Sequence, residues 1–163
     1  MPFASMRPPS QILSTCSLRL FCWAGAGMSL VAGLAVSIGT GAEDSASPRS
    51  VSDGVYSTAQ VSRGQKHYEA LCARCHGETL GGGEASPPLV DAPFLTKWYG
   101  KSVGELVEYT RLKMPTDGPG ILNRKLCTDV TAFVLSANDY PAGPHELVPN
   151  LQSLNQIQIT PLK

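Results

Sequence analysis

Five consecutive residues, Cys72-Ala73-Arg74-Cys75-His76, set two thiols and an imidazole at a fixed spacing. Two cysteines three positions apart lie on one side of a helical turn, so both sulfurs can reach one edge of a flat ligand. The histidine that follows is carried beneath that ligand, where a ring nitrogen can bind a central metal. C-x-x-C-H is the attachment signature of a c-type haem. Cys72 and Cys75 would form thioether bonds to its two vinyl groups, and His76 would be the first axial ligand of the iron. Other chemistries make different demands. Structural zinc wants a second Cys/His pair at ligand spacing, and His67, Cys127 and His145 form none. A thioredoxin-like dithiol wants a βαβ setting, whereas the segments around this motif read as helix. A plain Cys72–Cys75 disulfide fits the spacing and leaves His76 without a role.

The iron of such a haem has a second axial position. Met1, Met6 and Met28 all precede residue 43, so Met114 is the one methionine of the remaining chain, 38 residues after His76. A thioether is a neutral, soft ligand that favours reduced iron and raises the reduction potential. A single methionine commonly fills a gap in a core; the C-x-x-C-H motif and the Met114-Pro115 helix exit favour ligation here. His145 is the rival, in a proline-bounded tail. With both positions filled the expectation is an electron carrier cycling between Fe(III) and Fe(II), not an enzyme. The alternatives are a sensing or catalytic haem protein with a labile sixth site, and a haem-free thiol–disulfide protein.

The elements that must position these residues can be read from their caps and breakers. Ser57 followed by Gln60 has the capping-box form and predicts a helix over 59–71, with Val61, Tyr68 and Leu71 on its apolar side. Gly64 lies one turn before Tyr68. A helical glycine costs about 1 kcal/mol against alanine, so it marks either a close approach by another element or a tolerated surface position. Residues 77–88 hold four glycines and two prolines and read as loop. Pro87, Pro88 and Leu89 form a stiff wall without prolyl N–H donors, able to aim a carbonyl at the His76 imidazole. Phe94 and Trp98 are expected in the pocket, with Tyr99 as further apolar mass. Ser102 and Glu105 make a second capping box for a helix over 103–113, stopped by Pro115. Asn123 caps a third over 124–137, with Leu126, Val130, Phe133 and Val134 as its stripe and Cys127 a small buried residue without chemistry. Asp and Glu fall on faces expected to be exposed.

The N-terminus has the layout of a secretory signal. Residues 1–19 carry Arg7 and Arg19 and no acid, residues 20–39 are uncharged and mostly apolar, and Thr40-Gly41-Ala42 offers small residues for cleavage. About 20 apolar residues also suffice to span a bilayer, so an uncleaved anchor is the alternative. The expected organisation is a signal peptide or anchor over 1–42, a flexible leader over 43–57, a haem domain over 58–140 and an extended surface tail over 141–163. The expected location is the periplasm, either free or anchored to the inner membrane facing it. Beyond residue 42, thirteen acidic residues against eleven basic ones leave a charge near −2, unlike a nucleic-acid-binding chain. Three cysteines remain there, two of them in the motif, which argues against a disulfide scaffold.

From about Ser57 to Ala137 the chain resembles a class I c-type cytochrome. The helix with Gly64 and Tyr68, the motif at Cys72, Cys75 and His76, Pro88 before Leu89, Met114-Pro115, and a C-terminal helix bearing Phe133 stand in that family's order. The tail Tyr140-Pro141-Ala142-Gly143 is similar to that of bacterial single-haem cytochromes found alone, or with quinoprotein dehydrogenases as partners or fused domains. The resemblance implies an all-α cytochrome c fold, three main helices and long loops around one covalently bound haem c. It implies a monomer exchanging electrons with donor and acceptor proteins, one of which could be a quinoprotein dehydrogenase. Membrane contact would follow only from an uncleaved N-terminal segment.

Overall fold

The computed structural model describes residues 49–84 and 86–162. The expected signal peptide or anchor, and the leader up to residue 48, lie outside the described residues. No helix among the described residues is long and apolar enough to cross a membrane. The chain runs through β1 (Arg49–Ser50), a 3-10 turn (Val51–Asp53), α1 (Thr58–Leu71), α2 (Ala73–His76), α3 (Asp91–Trp98), α4 (Val103–Lys113), α5 (Arg124–Ala137), α6 (Leu151–Asn155) and β2 (Ile157–Gln158). The architecture is all-α, with β1 and β2 only a two-residue parallel clasp.

Three helix starts follow the sequence. Ser57 Oγ accepts from the Gln60 N–H, and Asn123 Oδ1 from that of Leu126. The Ser102/Glu105 box is complete, with the Glu105 carboxylate accepting from the Ser102 N–H at 2.7 Å. The Ser57/Gln60 box is not. Gln60 is buried, and its amide donates to Asp129 Oδ1 and the Leu147 carbonyl while accepting from the Leu147 N–H at 2.8 Å. A buried primary amide is stable only with such partners. These lie across α5 and the C-terminal segment, so Gln60 turns inward and leaves the cap half made.

Helix α1 crosses α5 at Gly64. A Cβ placed there would stand 1.9 Å from the Asp129 carbonyl oxygen and 3.0 Å from Phe133 Cβ, so only glycine allows the two backbones this close. One turn on, the Tyr68 and Phe133 rings pack with centroids 5.3 Å apart. The buried positions of α1 are therefore Gln60, Gly64 and Tyr68, while Leu71 is left 38% exposed. Asp129, expected on an exposed face, is buried beside this crossing. It receives hydrogen bonds from Gln60, Arg63 and Lys125, and Arg63 also pairs with Glu146. Burial alone would raise the Asp129 carboxyl, but these donors outweigh it and hold the group below the usual carboxylate range.

The two outer segments depart from expectation. In place of a flexible leader through residue 57, Val51, Val55 and Tyr56 are buried. The tail is not merely draped over the surface: Leu147, Leu154, Ile157 and Ile159 enter the core. The cause is that the two segments bury one another. Arg49 pairs with Ile157 and Ser50 with Gln158, and the Gly143 N–H donates to the Tyr56 carbonyl at 2.7 Å. The tail also reaches the turn before α4, where the Ile159 N–H donates to the Lys101 carbonyl and the Ile159 carbonyl accepts from the Gly100 N–H, each at 2.9 Å.

Gly64→Ala is expected to push α1 off α5 and to destabilise the fold by about 1–3 kcal/mol, the cost of overpacking. The midpoint of urea unfolding reports this; an unchanged midpoint would refute the close crossing.

Candidate functional site

Tyr68 and the end of α1 place the C-x-x-C-H turn. The Cys72 N–H donates to the Tyr68 carbonyl at 2.8 Å, and the Cys75 and His76 N–H groups donate to the Cys72 carbonyl at 3.0 Å each. Both thiols and the imidazole thus ride on one short turn. The Tyr68 hydroxyl donates to the Gly77 carbonyl at 2.7 Å. Burial pushes its phenol up to about 12, so it stays a donor at any physiological pH. The His76 carbonyl accepts from the Gly82 N–H. Gly82 has φ +83, and a Cβ there would meet the Ser86 carbonyl at 2.7 Å, which makes the glycine-rich loop a tight fold-back that returns Pro87 to the histidine.

His76 Nδ1 lies 2.9 Å from the Pro87 carbonyl oxygen. A carbonyl can only accept, so the proton sits on Nδ1 and the Nε2 lone pair is free for a metal. Leu89 is fixed from two sides: its N–H donates to the Leu80 carbonyl, and its carbonyl accepts from Asn138 Nδ2 at 2.9 Å. The same Asn138 side chain accepts from the Asp91 N–H at 3.0 Å, tying the end of α5 to the start of α3.

A cavity of about 300 Å³ opens between these walls. Cys72, Cys75, His76, Pro88, Leu89, Phe94, Trp98 and Met114, each named from sequence, all line it. The rival ligand His145 is exposed and does not. Phe94 and Trp98 sit one turn apart on α3, a helix absent from the sequence reading because Val90 offers no side-chain cap. Their i, i+4 spacing was the available signal. Tyr99, just past that helix, is 62% exposed and stands outside. The sequence reading also missed Tyr109, which lines the cavity from α4. Its ring meets Trp98 edge-on at 5.4 Å and carries the Lys97 ammonium 4.2 Å from its centroid.

Met114 caps the C-terminus of α4 in extended conformation, so its side chain enters the cavity where the helix stops. Its N–H donates to the Thr110 carbonyl at 3.0 Å. Glu108 braces this end of α4, binding Arg111 on its own helix and Arg124 on α5. Those hydrogen bonds, from Arg111 first and Arg124 second, hold its carboxyl down at about 2.

The remaining chemistries fit less well. Among the described residues no three His, Cys, Asp or Glu side chains converge to hold a metal ion, short of a zinc site's four ligands. Burial, and next the neighbouring Cys75, push the Cys72 thiol up, the wrong direction for a redox-active dithiol. Cys127 is fully buried, and burial drives its thiol up to about 11, which leaves it unreactive. The apolar walls, two sulfurs at one edge and an imidazole with a free Nε2 fit a haem.

A family model described as cytochrome C oxidase, cbb3-type, subunit III matches residues 59–134. No curated protein matches the chain. Among solved structures, the crystal structure of the sulfane dehydrogenase SoxCD from Paracoccus pantotrophus is similar over 65% of this chain, at 20% identity and a TM-score of 0.44. The match spans 60% of that chain's length.

Because Glu108 is depressed in the folded state, the stability it contributes is complete above about pH 4.5 and is lost as pH falls toward about 2. Glu108→Gln is expected to flatten the acid-unfolding curve across that interval. Circular dichroism during acid titration of both proteins checks it.

Proposed function

Residues 59–134 are a class I c-type cytochrome domain, a domain that implies haem c and electron transfer, and from that premise we propose an exported one-electron carrier holding a single haem covalently. The observation that supports this best is that two thiols and an imidazole from one turn and a thioether from the end of α4, 38 residues later, line one apolar cavity. Bound haem supplies the one-electron chemistry, its iron alternating between two oxidation states. The chain supplies everything else. Cys72 and Cys75 would anchor the group at one edge, and the Pro87 carbonyl, 2.9 Å from His76 Nδ1, holds the proton there and would leave Nε2 to bind the iron. Met114, which also lines the cavity, would supply the second ligand, and a thioether there would favour the reduced state.

Phe94, Trp98 and Leu106 are buried on the inner wall and exclude water, which limits reorganisation when charge changes. With His76 and Met114 both bound to the iron, no open position would remain for a substrate. Partners exchange electrons through brief encounters at the rim, over the small interfaces such contacts use. The periplasm is the proposed location, reached through the signal of residues 1–42, with retention as an inner-membrane anchor as the second possibility. A quinoprotein dehydrogenase is the proposed class of redox partner.

Expression in a host that matures c-type cytochromes, followed by a haem-peroxidase stain on a denaturing gel, tests attachment. The wild type is expected to stain and Cys72→Ala/Cys75→Ala to lose the stain. An unstained, folded wild type would overturn the reading. In the stained protein, Met114→Ala is expected to lower the reduction potential and let the reduced form bind carbon monoxide, which the wild type should resist. Ready carbon monoxide binding by the wild type would instead establish a labile sixth site.

A further inference from the structure

The segment that carries Met114 onward, residues 115–122, is lightly held. Its Gly118 N–H donates to the Pro115 carbonyl, a bond within the segment. Leu122 is buried and lines the cavity, whereas Ile121 is 71% exposed. Among the described residues the one hydrogen bond from this segment to another part of the fold is the ion pair between Asp117 and Arg74. Arg74 sits between the two motif cysteines on α2, and Asp117 lies three residues after Met114. Both line the cavity while more than half exposed, at 63% and 61%, so the pair spans the cavity's rim. It joins the turn bearing one proposed axial ligand to the loop that directly follows the other.

We propose that the Arg74–Asp117 pair is a latch that positions Met114 and sets how readily its thioether leaves the iron. The inference rests on Met114 being the sixth ligand. An exposed pair contributes little to global stability. A loop with no other hydrogen bond to the rest of the fold among the described residues concentrates that small contribution on one motion, the swing of residues 115–121 away from α2. The latch is electrostatic and exposed, so salt should weaken it.

The test uses holoprotein and neutral imidazole as the entering ligand on oxidised iron, followed by rapid mixing. Asp117→Asn and Arg74→Gln are each expected to speed imidazole entry about two- to five-fold, as a surface ion pair would allow. Combining them should add nothing further. The reversed pair Arg74→Asp/Asp117→Arg should restore the slow rate, and salt should speed the wild type but not the single variants. Urea midpoints are expected to stay together. Equal rates in wild type and variants would overturn the latch, as would rate changes that track a fall in global stability. The sulfur-to-iron charge-transfer band of the oxidised wild type separates the two claims: its absence overturns Met114 ligation and the latch with it. Its presence with unaltered rates overturns the latch alone.

Discussion

Everything at the site depends on how closely α1 can approach α5. The Asp129 carbonyl occupies the space a side chain at residue 64 would need, so the crossing is set by backbone contact. That fixes the position of Tyr68 one turn later, and through it the turn bearing both cysteines and His76. The opposite flank of the same helix α5 supplies Val130, Thr131 and Val134 to the cavity. One crossing thus locates the anchoring turn and a wall of the pocket together. The glycine costs about 1 kcal/mol in helix propensity. The Tyr68–Phe133 ring pair it permits is worth about 0.5–1.5 kcal/mol beyond its buried area, so the contact offsets its own cost before burial is counted.

A second constraint is the buried carboxylate of Asp129. Removing one charge from water is expensive unless donors surround it, and here they come from Gln60 and Arg63 on α1 and Lys125 on α5. Gln60 and Arg63 are also the residues that grip the C-terminal segment, at Leu147 and Glu146. The same network therefore locks the tail onto the crossing. This holds the tail against the crossing, so that Leu147 packs into the core while its neighbours stay at the surface.

Much of the site was legible because its signals are local. Cys72, Cys75 and His76 declare themselves by spacing, Met114 by its isolation and by Pro115, and the starts of α1, α4 and α5 by Ser57, Ser102 and Asn123. What escaped was long-range. Nothing near Gln60 says that its partners lie at residues 129 and 147, so it reads as the far half of a capping box. Asp129 reads as a solvated charge for the same reason. Helix α3 has no cap to announce it and is stabilised by what it packs on, with Asn138 bonding its first residue. Residues 49–56 look like linker because their partners, residues 140–160, are a whole domain away in sequence.

The two sides of the cavity are built with different stiffness, and the chemistry of the proposed ligands explains why. An imidazole has a second nitrogen, so a hydrogen bond can orient it from behind; the Pro87 carbonyl does so, and Gly82, Leu89 and Asn138 hold that loop in turn. A thioether has no such handle. Methionine can be placed only by where its backbone stands and by what encloses it. The chain meets that demand by putting Met114 at the last turn of a braced helix, where Glu108 ties α4 to α5. Over residues 115–122, among the described residues, the one hydrogen bond to another part of the fold is made by the Asp117 side chain. The side held by the Pro87 carbonyl fixes geometry, and the side beyond Met114 is where the environment can act on the proposed sixth ligand.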